Sequence, residues 1–504
     1  GERIGFYYHI KLEPGFFFQY STAEKICTYL SDRISVAYPV AKTQDDGDVG
    51  GIAGNMSADD IAIIGLSGRY PKAGNIDAFW EYLKNGVDCI TEIPEDRWDY
   101  RDTRYTRQSR WGGFIDGVDC FDPLFFNISP SEAETMDPQE RLFLETAWHT
   151  IEDAGYSRQS LQQAFGGKVG VFVGVMYGEY QLFRDNDDAD VPFLFYGSIA
   201  NRVSYVFDFH GPSMAVDTLC SSSLTALHQA VASVRRGECA AAIVGGVNLS
   251  LHPNKYRLHA QLAMSSSDGR CRSFGAGGDG FVPGEGVGAV LIKPARQAVN
   301  DGDHIYAVIK ATAINHDGKT YGYTVPNPNA QADMILSALA EAGIAPQAVS
   351  YVEAHGTGTA LGDPVEITGL SKAFGRTTDA VQYCALGSVK SNIGHLEAAA
   401  GIAGLTKILL QMKHRQRAPS LHSAQTNPNI NFAKSPFYIP QTLEAWPRPR
   451  IDGIAHPRQA CLSSFGAGGA NAHAVIAEYN DAAIADTAGS EPQLVILSAK
   501  RQDR

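Results

Sequence analysis

The chain has 504 residues, of which 44% are hydrophobic, so it can bury a large core. Its net charge of −13 argues against nucleic acid as a partner, because proteins that bind nucleic acid are usually basic. No apolar run approaches the roughly 20 residues of a membrane-spanning helix and the N-terminus lacks the apolar core of a signal peptide, so we expect a cytoplasmic protein without membrane contact.

Strand-like and helical stretches alternate after residues 43–57, whose aspartates and glycines predict a flexible linker. The strand-like apolar runs span residues 61–64, 169–175, 241–247 and 307–311, and one helical stretch spans residues 133–154. This alternation predicts a layered α/β architecture. Apolar strands of this kind are typical of buried sheets.

Cys220 follows a polar turn and precedes residues 224–234, an alanine- and leucine-rich stretch that predicts a helix. A thiol at a helix N-terminus faces unpaired N–H groups and the positive end of the helix dipole, so its pKa should fall below about 8.5. The sequence therefore nominates Cys220 as a nucleophile, with an inert packed thiol as the alternative. The eight cysteines include no C-x-x-C pair and no ligand spacing with nearby histidines, so neither a metal site nor a disulfide is predicted.

Two histidines occupy similar places downstream. His355 follows an apolar run and precedes a glycine- and threonine-rich turn, which puts it at the end of a predicted strand. His395 lies between a short apolar segment and a predicted helix at residues 398–410. A single histidine is more often a structural residue. Two at strand-to-helix junctions, with a cysteine at a third, predict an active site on an α/β scaffold.

These three segments closely resemble the ketosynthase domains of modular polyketide synthases, which are thiolase-like condensing enzymes. The resemblance runs from about Asp60 to Tyr479 and includes similar blocks at residues 279–286, 315–319 and 463–473. Residues 176–180 and 477–479 are similar to the subgroup whose modules receive extender units from a separate, trans-acting acyltransferase.

The resemblance implies a role for each matching residue. Cys220 would hold the acyl chain as a thioester. His355 and His395 would donate Nε–H hydrogen bonds to the enolate oxygen that forms when a malonyl-type extender loses carbon dioxide. Loss of carbon dioxide itself makes the carbanion, which explains two histidines in place of a histidine and a carboxylate. The backbone amides of Cys220 and Ala467 would form the oxyanion hole.

Four more residues match supporting positions of the family. Lys390 and Glu366 would form an ion pair that supports His395, with solvated surface charges as the alternative. Thr357 and Thr359 would bind the amides of a phosphopantetheine arm, with hydroxyls that bond their own turn as the alternative.

Ala467 also marks a departure from the fatty-acid-synthesising relatives, which place a bulky aromatic residue between the same glycines. The smaller side chain predicts a wider pocket mouth and acceptance of bulkier, branched or β-functionalised acyl chains. Leu219 stands where alanine is commoner, and nothing in the sequence explains that difference.

A short repeat agrees with the fold that the family implies. Residues 273–278 recur as residues 464–469, each time leading into a strand-like run. The expected fold is thiolase-like α/β, with two similar halves in αβαβα layers, and family members are homodimers.

The ends of the chain differ from the catalytic region. Residues 16–30 resemble the last loop and helix of an acyl carrier protein without its Asp-Ser-Leu attachment site, and a stray amphipathic helix is the alternative. We therefore predict four segments along the chain: a possible carrier fragment at residues 1–40, a linker at 41–58, the ketosynthase at 59–480 and the start of a post-ketosynthase region at 481–504.

The predicted function is polyketide chain elongation by acyl transfer to Cys220 and decarboxylative Claisen condensation. The domain itself is expected to bind no cofactor and no metal. Its substrates are expected to be carried on the 4'-phosphopantetheine of acyl carrier proteins. Expected partners are upstream and downstream acyl carrier proteins, neighbouring synthase domains, a trans-acting acyltransferase and a second copy of the chain.

Four alternatives stay open. The domain could only pass the chain on without elongation, although the presence of His395 argues against this. It could act on free coenzyme A thioesters, although the carrier-like start favours an assembly line. A cysteine hydrolase would not need the second histidine, and an inactive scaffold would be expected to have lost Cys220. Acyl length, β-substitution and the docking carriers do not follow from the sequence.

Overall fold

A computed structural model describes residues 57–101, 109–183 and 195–479, all within one compact unit, Met56–Asn480. The predicted carrier fragment at residues 1–40, nearly all of the linker at 41–58 and the segment 481–504 lie outside the described residues. In the described part of the chain, no helix combines the length and apolar character needed to cross a membrane.

The strands fall into one large sheet and three two-stranded ribbons. They are β1 (Ile61–Arg69), β2 (Thr91–Glu92), β3 (Trp111–Gly112), β4 (Val169–Gly174), β5 (Ser213–Val216), β6 (Ala241–Asn248), β7 (Gly286–Pro294), β8 (Ala307–His316), β9 (Tyr351–Glu353), β10 (Cys384–Gly387), β11 (Gln416–Arg417), β12 (Phe437–Tyr438), β13 (Glu444–Ala445), β14 (Arg450–Ile451), β15 (Ile454–Ala455), β16 (Gln459–Phe465) and β17 (Ala470–Ala477).

The helices connect the strands and cover the sheet. They are α1 (Ile76–Lys84), α2 (Pro130–Thr135), α3 (Pro138–Asp153), α4 (Arg158–Phe165), α5 (Tyr196–Phe207), α6 (Ser222–Arg235), α7 (Asn254–Gln261), α8 (Ala295–Asp301), α9 (Pro328–Ala342), α10 (Gly362–Phe374), α11 (Lys390–Ile393) and α12 (Ala400–His414).

The large sheet contains the same arrangement twice. One half has the strand order β5-β4-β6-β7-β1 and the other has β10-β9-β16-β17-β8, with β12 added at its edge. In each half the first three strands are parallel and the last two follow antiparallel. The halves join where β1 and β8 pair antiparallel. The prediction of two similar halves is confirmed, and the repeated hexapeptide precedes corresponding strands, β7 in one half and β17 in the other.

Alternating side chains of the strands enter different cores. Ile61 and Ile63 belong to a core shared by both halves, which also contains the apolar faces of α6 and α12, whereas Ala62 and Ile64 pack with α3 and α5. A third core joins the other half of the sheet to α9 and α10. Helices therefore lie outside and between the two halves, which confirms the αβαβα expectation.

One predicted helix is divided. The stretch at residues 133–154 forms α2 and α3 with a break at Met136 and Asp137. Pro138 lacks the N–H that a continuous helix would need, and the Asp137 carboxylate caps the new helix by accepting a hydrogen bond from the Gln139 amide at 2.8 Å.

Candidate active site

Cys220 lies in the tight turn between β5 and α6, one residue before the N-cap of α6. The preceding residue, Leu219, has a φ of +60°, in the left-handed region that is unfavourable for a leucine. The Ser222 hydroxyl holds this turn, because it donates to the Leu219 carbonyl at 2.6 Å and accepts from the Thr218 amide at 2.9 Å. A strained turn thus fixes the thiol at the start of a buried helix.

The prediction that the pKa of Cys220 lies below its ordinary value is wrong. Burial, together with the negative charge of Glu397, raises the pKa of the thiol to about 12, whereas the charge of Lys390 and the amides of Ala467 and Cys220 itself lower it only in part. The side chain is 8% exposed, so a thiolate there would have little contact with water. Loss of hydration therefore outweighs the helix N-terminus from which the opposite shift was predicted.

The backbone amides of Ala467 and Cys220 both favour the charged form of the Cys220 sulfur and lower its pKa. Ala467 lies at the tip of the hairpin between β16 and β17, which closes through a 2.8 Å hydrogen bond from the Gly466 amide to the Ala470 carbonyl. A Cβ on Gly466 would lie 2.3 Å from the Thr218 carbonyl oxygen, so only glycine lets the hairpin approach the cysteine turn. The hairpin tip that carries Ala467 therefore lies beside the cysteine turn, and the oxyanion hole formed by these two amides stays a prediction.

His355 follows β9 and His395 follows α11, and the structure brings their rings together with centroids 5.3 Å apart. The Phe465 amide donates to His355 Nδ1 at 3.4 Å, and the Glu397 amide donates to His395 Nδ1 at 3.0 Å. Because Nδ1 is an acceptor in both rings, the proton of each neutral imidazole lies on Nε2.

Both histidines are neutral at physiological pH. Burial lowers the pKa of each imidazole well below its ordinary value, and the positive charge of Lys390 lowers both further. His395 Nε2 is buried and has no hydrogen-bond partner within the described ranges. Two neutral rings with Nε2–H donors can stabilise a negatively charged oxygen without changing their own protonation.

Glu366 and Lys390 do not form the predicted direct ion pair among the described residues. Both oxygens of Glu366 accept backbone amides instead, from His355 at 2.7 Å and from Gly356 at 2.8 Å. Burial raises the pKa of Glu366 to about 7 and lowers the pKa of Lys390. Glu366 thus holds the His355 loop directly, while Lys390 acts through its charge on the surrounding groups.

Thr357 and Thr359 share one turn after His355. Their hydroxyl oxygens are 3.2 Å apart, and Thr359 Oγ1 accepts the Gly362 amide at 3.1 Å at the start of α10. The turn role that was the alternative for Thr359 is therefore present. It leaves the Thr359 hydroxyl proton for another acceptor.

The sequence reasoning missed a buried charged group beside His395, which we name the Lys255 cluster: Lys255, His259, Glu397 and Asn248. The side chains of Lys255 and Glu397 are 0% and 1% exposed and form an ion pair. Lys255 and His259 are one turn apart on α7, and the available signal was this i, i+4 spacing of two basic residues on one helix face, together with the acidic Glu397 two residues after His395.

Family profiles match nearly all of the described chain. The Beta-ketoacyl synthase N-terminal domain matches residues 58–298, the C-terminal domain matches 306–424, and a Ketoacyl-synthetase C-terminal extension matches 427–503. Polyketide synthase PksL of Bacillus subtilis is 60% identical over 467 residues, which are 88% of this chain and 10% of that protein. The chain thus spans about a tenth of the length of this much larger synthase.

Solved structures show the same relationship. The oxazolomycin ketosynthase domain OzmH KS7 of Streptomyces albus is 51% identical, with a TM-score of 0.80 over 83% of this chain and 74% of that one. The ketosynthase from module 6 of the Bacillus subtilis bacillaene synthase is 44% identical, with a TM-score of 0.78 over 84% and 72% of the two chains. The chain therefore belongs to the β-ketoacyl synthase family, as a thiolase-fold ketosynthase domain of the polyketide synthase type, a class of acyl-transferring condensing enzymes.

Proposed function

We propose that this domain elongates a polyketide chain by joining an acyl group on Cys220 to a malonyl-type extender held by a carrier protein. The observation that carries the proposal is the pair of neutral imidazoles with Nε2–H donors, whose pKa values are lowered by the same Lys390 charge that acts on the buried Cys220 thiol. A hydrolase would need a general base to activate water, whereas two donors suit an enolate.

In the first step, the Cys220 sulfur attacks the thioester of an upstream carrier. The amides of Cys220 and Ala467 receive the oxyanion of the tetrahedral intermediate. The bond between the carbonyl carbon and the carrier sulfur then breaks, and the proton from the Cys220 thiol ends on the departing carrier thiol. Because the pKa of Cys220 is raised, the thiol loses this proton as it attacks rather than beforehand.

In the second step, a malonyl-type thioester enters with its carbonyl oxygen between His355 and His395. The bond to its carboxylate carbon breaks, carbon dioxide leaves, and the electron pair forms an enolate that accepts both Nε2–H hydrogen bonds. The enolate carbon attacks the acyl thioester on Cys220. Collapse of this second oxyanion expels the Cys220 thiolate, which takes a proton from solvent as the β-ketoacyl product departs on its carrier.

The substrates would arrive on 4'-phosphopantetheine arms, bound by Thr357 and Thr359. Both hydroxyls lie on the turn that follows His355, so an arm held there would direct its thioester towards the imidazoles. We propose upstream and downstream acyl carrier proteins as partners, neighbouring synthase domains within a longer polypeptide, and a trans-acting acyltransferase as the source of extender. We place the catalytic domain at residues 59–480 and expect it in the cytoplasm.

We also propose a homodimer that forms through β5. This strand is the edge of the large sheet, and among the described residues its outer backbone groups have no neighbouring strand. Met214 on β5 is 39% exposed and Tyr205 on the adjacent α5 is 80% exposed. Pairing two copies across this edge would cover both the backbone groups and the apolar side chains.

One experiment separates the proposal from its alternatives. The domain is incubated with an acyl-carrier protein, then with a malonyl-carrier protein, and both the enzyme and the carriers are followed by intact mass spectrometry. We expect acylated Cys220 first and a β-ketoacyl carrier second, with neither species formed by Cys220→Ala. Stable acylation without a β-ketoacyl product would identify a domain that only passes chains on, and equal rates with coenzyme A thioesters would contradict a carrier-dependent enzyme.

A further inference from the structure

We propose that Lys255 is a positioning residue for condensation, because it holds Glu397 in the backbone conformation that orients His395. The inference rests on the proposed function of His395 in stabilising the enolate. It assigns Lys255, His259 and Glu397 to the decarboxylation step and not to acyl loading on Cys220.

The first observation is the construction of the Lys255 cluster. The Glu397 carboxylate accepts hydrogen bonds from His259 Nε2 at 2.8 Å and from Asn248 Nδ2 at 3.0 Å, and it forms an ion pair with Lys255. The Lys255 ammonium also donates to Asn248 Oδ1 at 3.0 Å and to the Leu249 carbonyl at 3.1 Å. A buried lysine therefore has one carboxylate partner and two neutral acceptors, as a buried charge requires.

The second observation links this cluster to the imidazole. Glu397 has a φ of +47°, a left-handed conformation that costs energy for a glutamate, and in that conformation its amide donates to His395 Nδ1. The contacts of the Glu397 carboxylate anchor its side chain, and this anchoring helps to keep the backbone of the same residue in its left-handed conformation. If the carboxylate lost its partners, residue 397 could relax and the Nδ1 atom of His395 would lose its donor.

The third observation is a second contact between the cluster and the ring. Phe281 lies between two histidines, with its centroid 5.2 Å from the His259 ring and 5.0 Å from the His395 ring, at angles of 70° and 71°. The amide of His395 donates to the Val282 carbonyl at 2.7 Å. The orientation of His395 therefore depends on the segment that also packs against His259.

The charges of the Lys255 cluster also favour an ionised Glu397 and a neutral His395. Burial would raise the pKa of Glu397, but the charge of Lys255 and the hydrogen bond from His259 hold it at about 2, so the carboxylate is ionised at neutral pH. Burial and the charge of Lys390 lower the pKa of His395, and the positive charge of Lys255 lowers it further. His355 has different support, from the Phe465 amide and the Glu366 carboxylate, so the cluster acts on only one of the two histidines.

The test compares two fully buried lysines. Lys255→Met removes the cation of the cluster, and Lys293→Met is the matched control, because the Lys293 side chain is also 0% exposed and is paired with Asp301 and Asp303 away from the site. In Lys255→Met we expect acyl loading on Cys220 within about twofold of the native rate. We expect kcat for decarboxylation of malonyl-carrier protein to fall about 10–100-fold with little change in KM, as when an outer partner of an active-site histidine is lost.

A second variant distinguishes loss of the ion pair from a folding defect in Lys255→Met. Glu397→Gln keeps the backbone amide and the side-chain shape, and should show the same selective loss of decarboxylation. The double variant Lys255→Met with Glu397→Gln leaves no uncompensated buried carboxylate, so it should be more active than Lys255→Met alone. Additive damage, in which the free-energy losses of the two single variants sum in the double variant, would contradict coupling through this ion pair.

A readout of the ring itself does not depend on turnover. Histidine labelled with ¹³C and ¹⁵N is followed by NMR across pH, with His395 assigned from a His395→Gln sample. In the native domain His395 should keep its proton on Nε2 and stay neutral well below pH 6.5. In Lys255→Met its pKa should rise or its tautomer should change, and in Lys293→Met it should not.

The two proposals fail in different ways. An unchanged His395 signal in Lys255→Met, or a loss of loading equal to the loss of decarboxylation, overturns the positioning role. A native domain that never forms a β-ketoacyl product, but whose His395 signal responds only to the Lys255 variant, overturns chain elongation and supports the positioning role.

Discussion

The rings of His355 and His395 stand nearly perpendicular, at an interplanar angle of 84° with their centroids 5.3 Å apart. Each ring is fixed through Nδ1 by a backbone amide from a different part of the chain. Two Nε2–H groups on perpendicular rings can approach one oxygen from two directions. The proposed stabilisation of the enolate depends on this pairing.

His395→Ala should separate loading from elongation. It removes one of two hydrogen-bond donors to the enolate and leaves both amides at Cys220 unchanged, so we expect elongation to fall about 10²–10³-fold while acyl loading persists. Intact mass spectrometry of the enzyme and carriers measures both steps. His149→Ala is the control, because His149 is exposed on α3 and pairs with Glu152 on the same helix. Equal loss of loading and elongation would mean that His395 acts on the thiol.

The alkylation rate of Cys220 should keep rising with pH. A pKa near 12 leaves the thiol protonated at neutral pH, so the thiolate fraction should grow about tenfold per pH unit between pH 7 and 10. Carbamidomethylation of Cys220, read by peptide mass spectrometry, measures this, with N-acetylcysteine in the same buffers as the reference. A plateau of the alkylation rate near pH 8.5 or below would contradict the raised pKa and would show that the helix N-terminus determines the pKa of Cys220.

Ala467→Phe should narrow the range of accepted acyl chains. Ala467 is half-buried at the hairpin tip beside the thiol, so an aromatic ring there would occupy space near the acylated sulfur. We expect the ratio of kcat/KM for straight over branched acyl thioesters to rise about tenfold or more. Ala467→Ser is the control for a small change that keeps the same backbone amide. An unchanged ratio would place the determinant of chain shape elsewhere.

Thr357→Val combined with Thr359→Val should weaken binding of the pantetheine arm. Loss of two hydrogen bonds predicts a rise of about tenfold in KM for pantetheinyl thioesters. For short thioesters that lack the amides of the arm, KM should change little. This comparison distinguishes arm binding from damage to the turn. Because Thr359 also accepts the Gly362 amide, thermal melting should accompany the kinetics. An equal loss for both kinds of substrate would favour the turn role alone.

Met214→Glu should shift the domain towards a monomer. A charge at the exposed edge of β5 would be unfavourable if a second copy covers that strand. Light scattering after size-exclusion chromatography measures the mass. Leu262→Glu is a matched control, since Leu262 is also an exposed hydrophobic residue but follows α7. A native monomer at micromolar concentration would contradict the dimer.

Local sequence patterns were sufficient for the layered α/β class, whereas the two-halved fold and the roles at the site followed from the resemblance to ketosynthases. Short motifs around His355 and His395 identified two rings that the structure brings together. Pro138 was the visible reason for the division of one predicted helix, although the periodicity alone continued through it. Such features depend on neighbouring residues, so they can be read along the chain.

The tertiary structure decided what those residues can do. The acidity of Cys220 depends on how completely distant segments exclude water from the sulfur, so burial reversed the shift that its own helix predicted. Glu366 was expected to pair with Lys390, but the backbone of the His355 loop took both its oxygens. The contact between Lys255 and Glu397 joins residues far apart in the chain. Hydration, proton position and long-range pairing arise only when the layers pack, and no local pattern contains them.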